Sequence, residues 1–300
     1  MEEPPVMVDQ SVEPDPRLAF AATLPLRALP RFAGMELLVA VCGLLEGTGV
    51  TAVMEPDLTT FDEDPGDARV WHRPKVPPRV GLTVNGITIV VQGHDRPAFS
   101  AAELARLDLR AWPEGGARIA RARAHVEIVE ARPSGGADLD HNYDRAAAVT
   151  VVAAAVTGLV EAAAVVWRAS RRAVPVEQLE TLFAALAQGQ APIPLWLGCP
   201  SRPEGARGTV TRGLFPLLGA EIEIAVSDLQ GDAAFKIAME LAAEILRAGE
   251  APAHGAWLKY DRNTEFSVRH RASGHAGGVP YVVLTQAANP VESEATAGAA

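Results

Sequence analysis

The sequence predicts an α+β fold, and two observations predict it. Apolar runs of strand length alternate with amphipathic helical stripes, and an Asn-Gly pair joins two of the strand-like runs directly, without a helix between them. The expected architecture is two ferredoxin-like layers of βαβ type, each an open antiparallel or mixed sheet with helices packed on one face. The chain shows no residue-level repeat, so the duplication follows from element order alone.

Leu18 to Leu26 reads as a strand and Pro30 to Leu45 as a helix. Val50 to Met54 is a strand after the Gly47-Thr48-Gly49 turn. Glu55 to Pro78, rich in acids and prolines, reads as a loop. Val80 to Val84 and Ile87 to Gln92 flank Asn85-Gly86, the strongest short hairpin signal, because both turn residues tolerate positive φ. Ser100 and Glu103 form a capping box that starts a helix, expected to run to Ala111 and to break at Trp112-Pro113.

Ala122 to Ala131 alternates as a strand, Asn142 to Leu159 is a buried helix, and Ala162 to Ala169 is a strand. Pro175 suits a first helical turn, and Val176, Leu179, Leu182, Phe183 and Leu186 give the stripe behind it. Ile193 to Leu197 and Glu221 to Val226 read as strands. A helix face then runs from Phe235 to Leu246 and ends at Gly249. Ala256 to Tyr260, Phe266 to His270 and Pro280 to Leu284 are closing strands. Four regions result: disordered tails over 1–16 and 287–300, an N-terminal α/β region over 17–95, and an α+β domain over 96–286.

The chain has 300 residues, 48% of them hydrophobic and 21% charged, a composition that builds a sizeable core. A net charge of −10 argues against a nucleic-acid partner, since neutralising phosphates needs clustered Lys and Arg. The basic cluster that stands out is Arg168, Arg171 and Arg172, with no interleaved aromatic residue. Two cysteines, Cys42 and Cys199, are too few for a disulfide framework and read as buried thiols in a reducing compartment. The acidic Met1-Glu2-Glu3-Pro4-Pro5 start lacks the basic and apolar regions of a secretory signal, so a cytoplasmic location is expected. Ala146 to Trp167 carries Glu161 as its only charge and is long enough to span a bilayer. Its Ala, Val and Thr content and Gly158 make insertion unfavourable, and no membrane association is expected.

The residue choices that reach beyond generic packing are Thr211-Arg212-Gly213-Leu214 followed by Gly219-Ala220-Glu221-Ile222-Glu223-Ile224. With the amphipathic helix and the Gly249 to Gly255 turn after them, they resemble the bacterial domain of unknown function 4261 family. Trp112-Pro113, Ala124-His125-Val126-Glu127-Ile128, Val166-Trp167 and Pro194-Leu195-Trp196-Leu197 extend the resemblance upstream, over about 100 to 260. The resemblance implies family membership and no substrate, cofactor or catalytic residue.

Candidate chemistry is sparse. Glu221 and Glu223 lie two apart on a strand, so their carboxylates share a face and can bind a divalent cation or work as acid and base; a solvated face over core Ile222 and Ile224 is the simpler reading. His125 within a strand and His141 among Asp138, Asp140 and Asp144 offer further metal ligands, although no helical zinc signature is present. Asp138 to Asp144 reads more simply as a polar loop capping the buried helix. Cys199 at a strand end, with His125 or His254 as partner, is a nucleophile candidate without any matching motif around it. Gly47-Thr48-Gly49 lacks the context of a phosphate loop, and no cofactor is expected. Trp112, Trp167, Trp196 and Trp257 read as core anchors with hydrogen-bonded indoles.

The sequence therefore favours a non-enzymatic protein- or ligand-binding module with a protein partner, in an immunity, regulatory or secretion setting. The first alternative is a metal-dependent hydrolase using His125, His141, Glu221 and Glu223. The second is a structural subunit of a larger bacterial assembly, which requires an exposed apolar patch.

Overall fold

A computed structural model describes residues 19–29, 32–59, 79–131, 139–199, 208–225, 231–262, 264–272 and 278–286. The tails expected over 1–16 and 287–300, and most of the loop before Pro78, lie outside them. The chain begins β1 (Ala21–Leu26), α1 (Gly34–Leu44), β2 (Ala52–Glu55), β3 (Arg79–Val84) and β4 (Ile87–His94). Short helices α2 (Ala101–Leu104) and α3 (Gly115–Ala120) lead to β5 (Ala124–Glu130), α4 (Leu139–Leu159), β6 (Ala164–Trp167) and β7 (Arg172–Pro175). After α5 (Val176–Ala187) and α6 (Ile193–Trp196) come β8 (Thr209–Val210), α7 (Phe215–Leu218), β9 (Glu221–Ile224) and α8 (Gly231–Ala248). β10 (Trp257–Lys259), β11 (Glu265–Arg271) and β12 (Tyr281–Gln286) close the described chain.

The fold is α+β. Among the described residues, a seven-stranded antiparallel sheet runs β2-β3-β4-β5-β1-β6-β7, and a five-stranded mixed sheet runs β10-β11-β12-β9-β8 with β9 and β12 parallel. Strands from both sides of residue 95 pair in the larger sheet, β4 with β5 and β5 with β1, so the 17–95 region builds no sheet of its own. The Asn85-Gly86 hairpin forms as its residues dictate, with φ of 50° and 78° at the two turn positions.

Helices α1 and α4 bury the face of the large sheet that carries Leu24, Leu82, Ile89, Val126 and Ile128. α4 is buried around most of its circumference, which is why its sequence has no polar stripe; no helix among the described residues is long and apolar enough to cross a membrane. In the smaller sheet, Ile222, Ile224, Val282 and Leu284 join Leu241 and Ile245 of α8 in the same contiguous core.

Several elements depart from expectation for physical reasons. Helices do not keep to one face: Trp112 and Ile119, from the α2–α3 segment, pack on Ala164, Val166 and Ala173, the opposite side of β6 and β7. The capping box of Ser100 and Glu103 is made, yet α2 ends at Leu104 because Asp108 leaves the helical path to bridge Arg172. Ile193 to Leu197, expected as a strand, is a helical turn closed by Trp196 N–H to the Pro192 carbonyl, at 3.1 Å. The stretch Asp140 to Asp144 is the start of α4 instead of a loop. Trp257 is 62% exposed on edge strand β10, not a core anchor. Of the buried indoles, Trp196 donates to Thr150 Oγ1 at 2.9 Å, whereas the Trp167 N–H finds no acceptor among the described residues.

Candidate functional site

The Thr-Arg-Gly-Leu segment and Glu221 are one device. Glu221 on β9 is buried, and its carboxylate accepts from Thr211 Oγ1 at 2.8 Å and from the amides of Gly213, Phe215 and Leu214 at 2.8, 3.1 and 3.2 Å. Burial pushes this carboxyl up from the ordinary range, and these four donors oppose that shift. Gly213 is required at its place: φ is 106°, and a Cβ there would overlap the Trp196 carbonyl oxygen. Gly198 and Arg212 exchange backbone bonds of 3.0 and 2.7 Å, which fixes the Arg212 backbone beside the cradle.

Arg212 faces a cavity of about 730 Å³ between the two sheets, within the range of small-molecule sites. Arg168 and Arg171 line the same cavity, together with Phe215 and Tyr281. They come from the turn between β6 and β7, where Arg171 holds φ of 56°, a conformation costly for any residue with a Cβ. Arg106 joins Arg171 and Arg212 in a neighbouring pocket and Arg168 and Arg171 in another. The nearby acids are already engaged. Glu221 holds the cradle, Glu103 caps α2, and Asp108 binds Arg172 at 2.9 Å and the Cys199 amide at 3.0 Å. Among the described residues, no carboxylate lies within ion-pair distance of Arg106, Arg171 or Arg212. Burial, and then the Arg171 charge, push the Arg212 pKa down from its ordinary value.

A second cluster lies on the same side of the large sheet as Arg168. His94 on β4 sits directly opposite His125 on β5, and Glu127 is two residues along β5, on the same face. The imidazoles stack with centroids 4.6 Å apart, and the ligand atoms of the three residues lie within 4.8 Å of one another. His125 Nδ1 is 2.8 Å from the Arg96 carbonyl oxygen. Burial lowers the pKa of His125, with the Arg96 bond opposing, so the neutral ring is favoured. Glu127 Oε1 accepts from Arg168 at 3.0 Å, which ties this cluster to the cavity.

The other residues singled out by the sequence do not join it. His141 lies in the first turns of α4, outside the group. Glu221 and Glu223 do share a face of β9, but that face is buried, and Glu223 pairs with Arg271 while Glu221 serves the cradle. They are therefore not a free carboxylate pair. His254 packs edge-on against His270 near the surface. The sequence missed His94 because its approach to His125 depends on the register of β4 against β5. The His125-x-Glu127 spacing on a strand was the signal available.

Cys199 is a core thiol, pushed up to about 12 by burial, whereas Cys42 is exposed on α1 and is not the buried thiol the sequence suggested. Titration of the native protein with a disulfide reagent at pH 8 is expected to count one fast thiol, and denaturant to reveal the second. Two fast thiols in the native protein would contradict this burial.

Searches of family models, curated proteins and solved structures return no match for this chain.

Proposed function

We propose that this chain is a non-enzymatic module that binds a small anionic ligand in the cavity between its two sheets. One observation carries the reading: Arg168, Arg171 and Arg212 converge on one cavity in a chain of net charge −10, and Arg171 and Arg212 have no carboxylate partner among the described residues. Guanidinium groups bind carboxylate and phosphate oxygens in bidentate fashion, and the aromatic wall of Phe215 and Tyr281 suits an organic body behind the charge. The ligand class is thus a phosphorylated or polycarboxylated metabolite. A nucleic acid is disfavoured because the cavity is local and the chain carries a net charge of −10. The resemblance to the domain of unknown function 4261 family, and a cytoplasmic bacterial setting, are compatible with such a module and supply no ligand.

Calorimetric titration of phosphate esters and di- and tricarboxylates at low ionic strength tests the reading. Binding is expected to weaken as salt rises. Arg171→Gln or Arg212→Gln is expected to lose roughly 10- to 100-fold in affinity, the equivalent of one charge-assisted contact. If no anion binds, or if both variants bind as the parent does, the reading is wrong. A protein partner is the second reading, favoured by the outward-facing Met35 and Val39 on α1, which are 59% and 64% exposed.

A further inference from the structure

We infer that His94, His125 and Glu127 form a binding site for a single divalent transition-metal ion of the zinc type, separate from the anion cavity. Two imidazoles and a carboxylate are ligands of the right softness for such an ion and leave a coordination position open.

Three features support the assignment. His125 Nδ1 faces the Arg96 carbonyl, which can only accept, so the proton of the neutral ring sits on Nδ1 and the Nε2 lone pair is free for a metal. This is the outer-shell arrangement that fixes the tautomer of metal-binding histidines. His94 Nε2 is buried and makes no hydrogen bond with any described residue, although it lies 3.3 Å from Glu127 Oε2. A buried nitrogen held only by this carboxylate contact, with no hydrogen bond of its own, is one that an ion shared with Glu127 would satisfy. That 3.3 Å separation also matches the edge of a tetrahedron of donors about 2.1 Å from a central ion, roughly 3.4 Å.

The remaining contacts suit an ion as well. With every pair of ligand atoms within 4.8 Å, side-chain rotation alone can close the set. Arg168 holds the other oxygen of Glu127 at 3.0 Å, leaving Oε2 for the metal. Glu127 and its cross-strand neighbour Gln92 also line a pocket of about 370 Å³ beside the cluster.

The experiment uses the full chain, stripped of metal by chelator and titrated with Co²⁺ in a non-coordinating buffer without added anions. One equivalent is expected to produce visible d–d absorption, which one equivalent of Zn²⁺ abolishes. Zn²⁺ is also expected to raise the Tm. His94→Gln, at a half-buried position, is expected to weaken Co²⁺ binding by at least 100-fold, because losing even an outer-shell partner costs about 10- to 100-fold. His254→Ala removes the other histidine pair among the described residues and is expected to leave the spectrum unchanged.

Absence of a Co²⁺ spectrum in the parent protein would overturn the assignment. So would loss of the spectrum in His254→Ala, or its retention in His94→Gln. Should His94→Gln fail to fold, the parent spectrum and the Zn²⁺-dependent Tm decide, with His254→Ala as the control. Because no anion is present, this outcome is independent of ligand binding in the arginine cavity.

Discussion

Glu221→Gln is expected to destabilise the protein by about 3 kcal/mol, roughly 5 °C in Tm for a chain of this size. All four groups facing the carboxylate are donors: the Thr211 hydroxyl and the amides of Gly213, Leu214 and Phe215. A glutamine matches the shape but replaces one acceptor oxygen by an NH₂ group. If that group takes the Oε1 place it opposes the Gly213 and Phe215 amides; at Oε2 it opposes Leu214 and Thr211. The Thr211 hydroxyl can turn, but it already accepts from the Ile222 amide at 2.8 Å. At least one buried amide therefore loses its partner in either orientation. Urea denaturation of parent and variant measures the effect. A difference below about 0.5 kcal/mol, the level of an ordinary surface substitution, would show that the cradle does not hold this loop.

Arg145→Met is expected to cost about 3–5 kcal/mol, because it strands a buried carboxylate. Arg145 on α4 is 1% exposed and reaches Glu130 through two bonds, Nε to Oε1 at 2.6 Å and Nη2 to Oε2 at 2.8 Å. Its third nitrogen, Nη1, donates to Asn142 Oδ1 at 2.8 Å, and its Cζ lies 5.1 Å from the centroid of the Phe20 ring. Removing the cation leaves Glu130 inside the core with the long 3.4 Å contact from the Phe20 amide. The double substitution Arg145→Met with Glu130→Leu is expected to recover most of the loss, since both desolvated charges are then gone. Chemical denaturation of the cycle supplies the coupling energy. If the single variant does not accumulate as folded protein, recovery of folded protein in the double variant is the same result. A double variant no more stable than the single one would refute the explanation.

Both devices were only partly legible in the sequence. Thr211-Arg212-Gly213-Leu214 and Glu221 stood out as residue choices without an obvious packing role; Thr211, Gly213 and Leu214 proved to donate to the Glu221 carboxylate, while the Arg212 amide bonds the Gly198 carbonyl. The functional alternative considered for Glu221, a metal or acid–base pair with Glu223, fails because each carboxylate has its own partners. Arg168, Arg171 and Arg172 were visible as a cluster, but their division of labour was not. Arg172 is buried against Asp108, whereas Arg168 and Arg171 turn to the cavity. Glu130 looked like one more residue of an alternating strand, and its ion pair depends on where α4 lands.

Local chemistry determined what the sequence could determine by itself. The Asn85-Gly86 hairpin, the Ser100 and Glu103 capping box and the amphipathic α8 need only interactions within a few residues, so their residue types suffice. The tertiary structure decided the rest: the register that sets His94 against His125, the docking that brings Arg212 to Arg168 and Arg171, and the helical turn at Ile193–Trp196 where β-rich residues suggested a strand. These outcomes depend on the summed burial of side chains distant in sequence, which overrides local preference and is not readable at any single position.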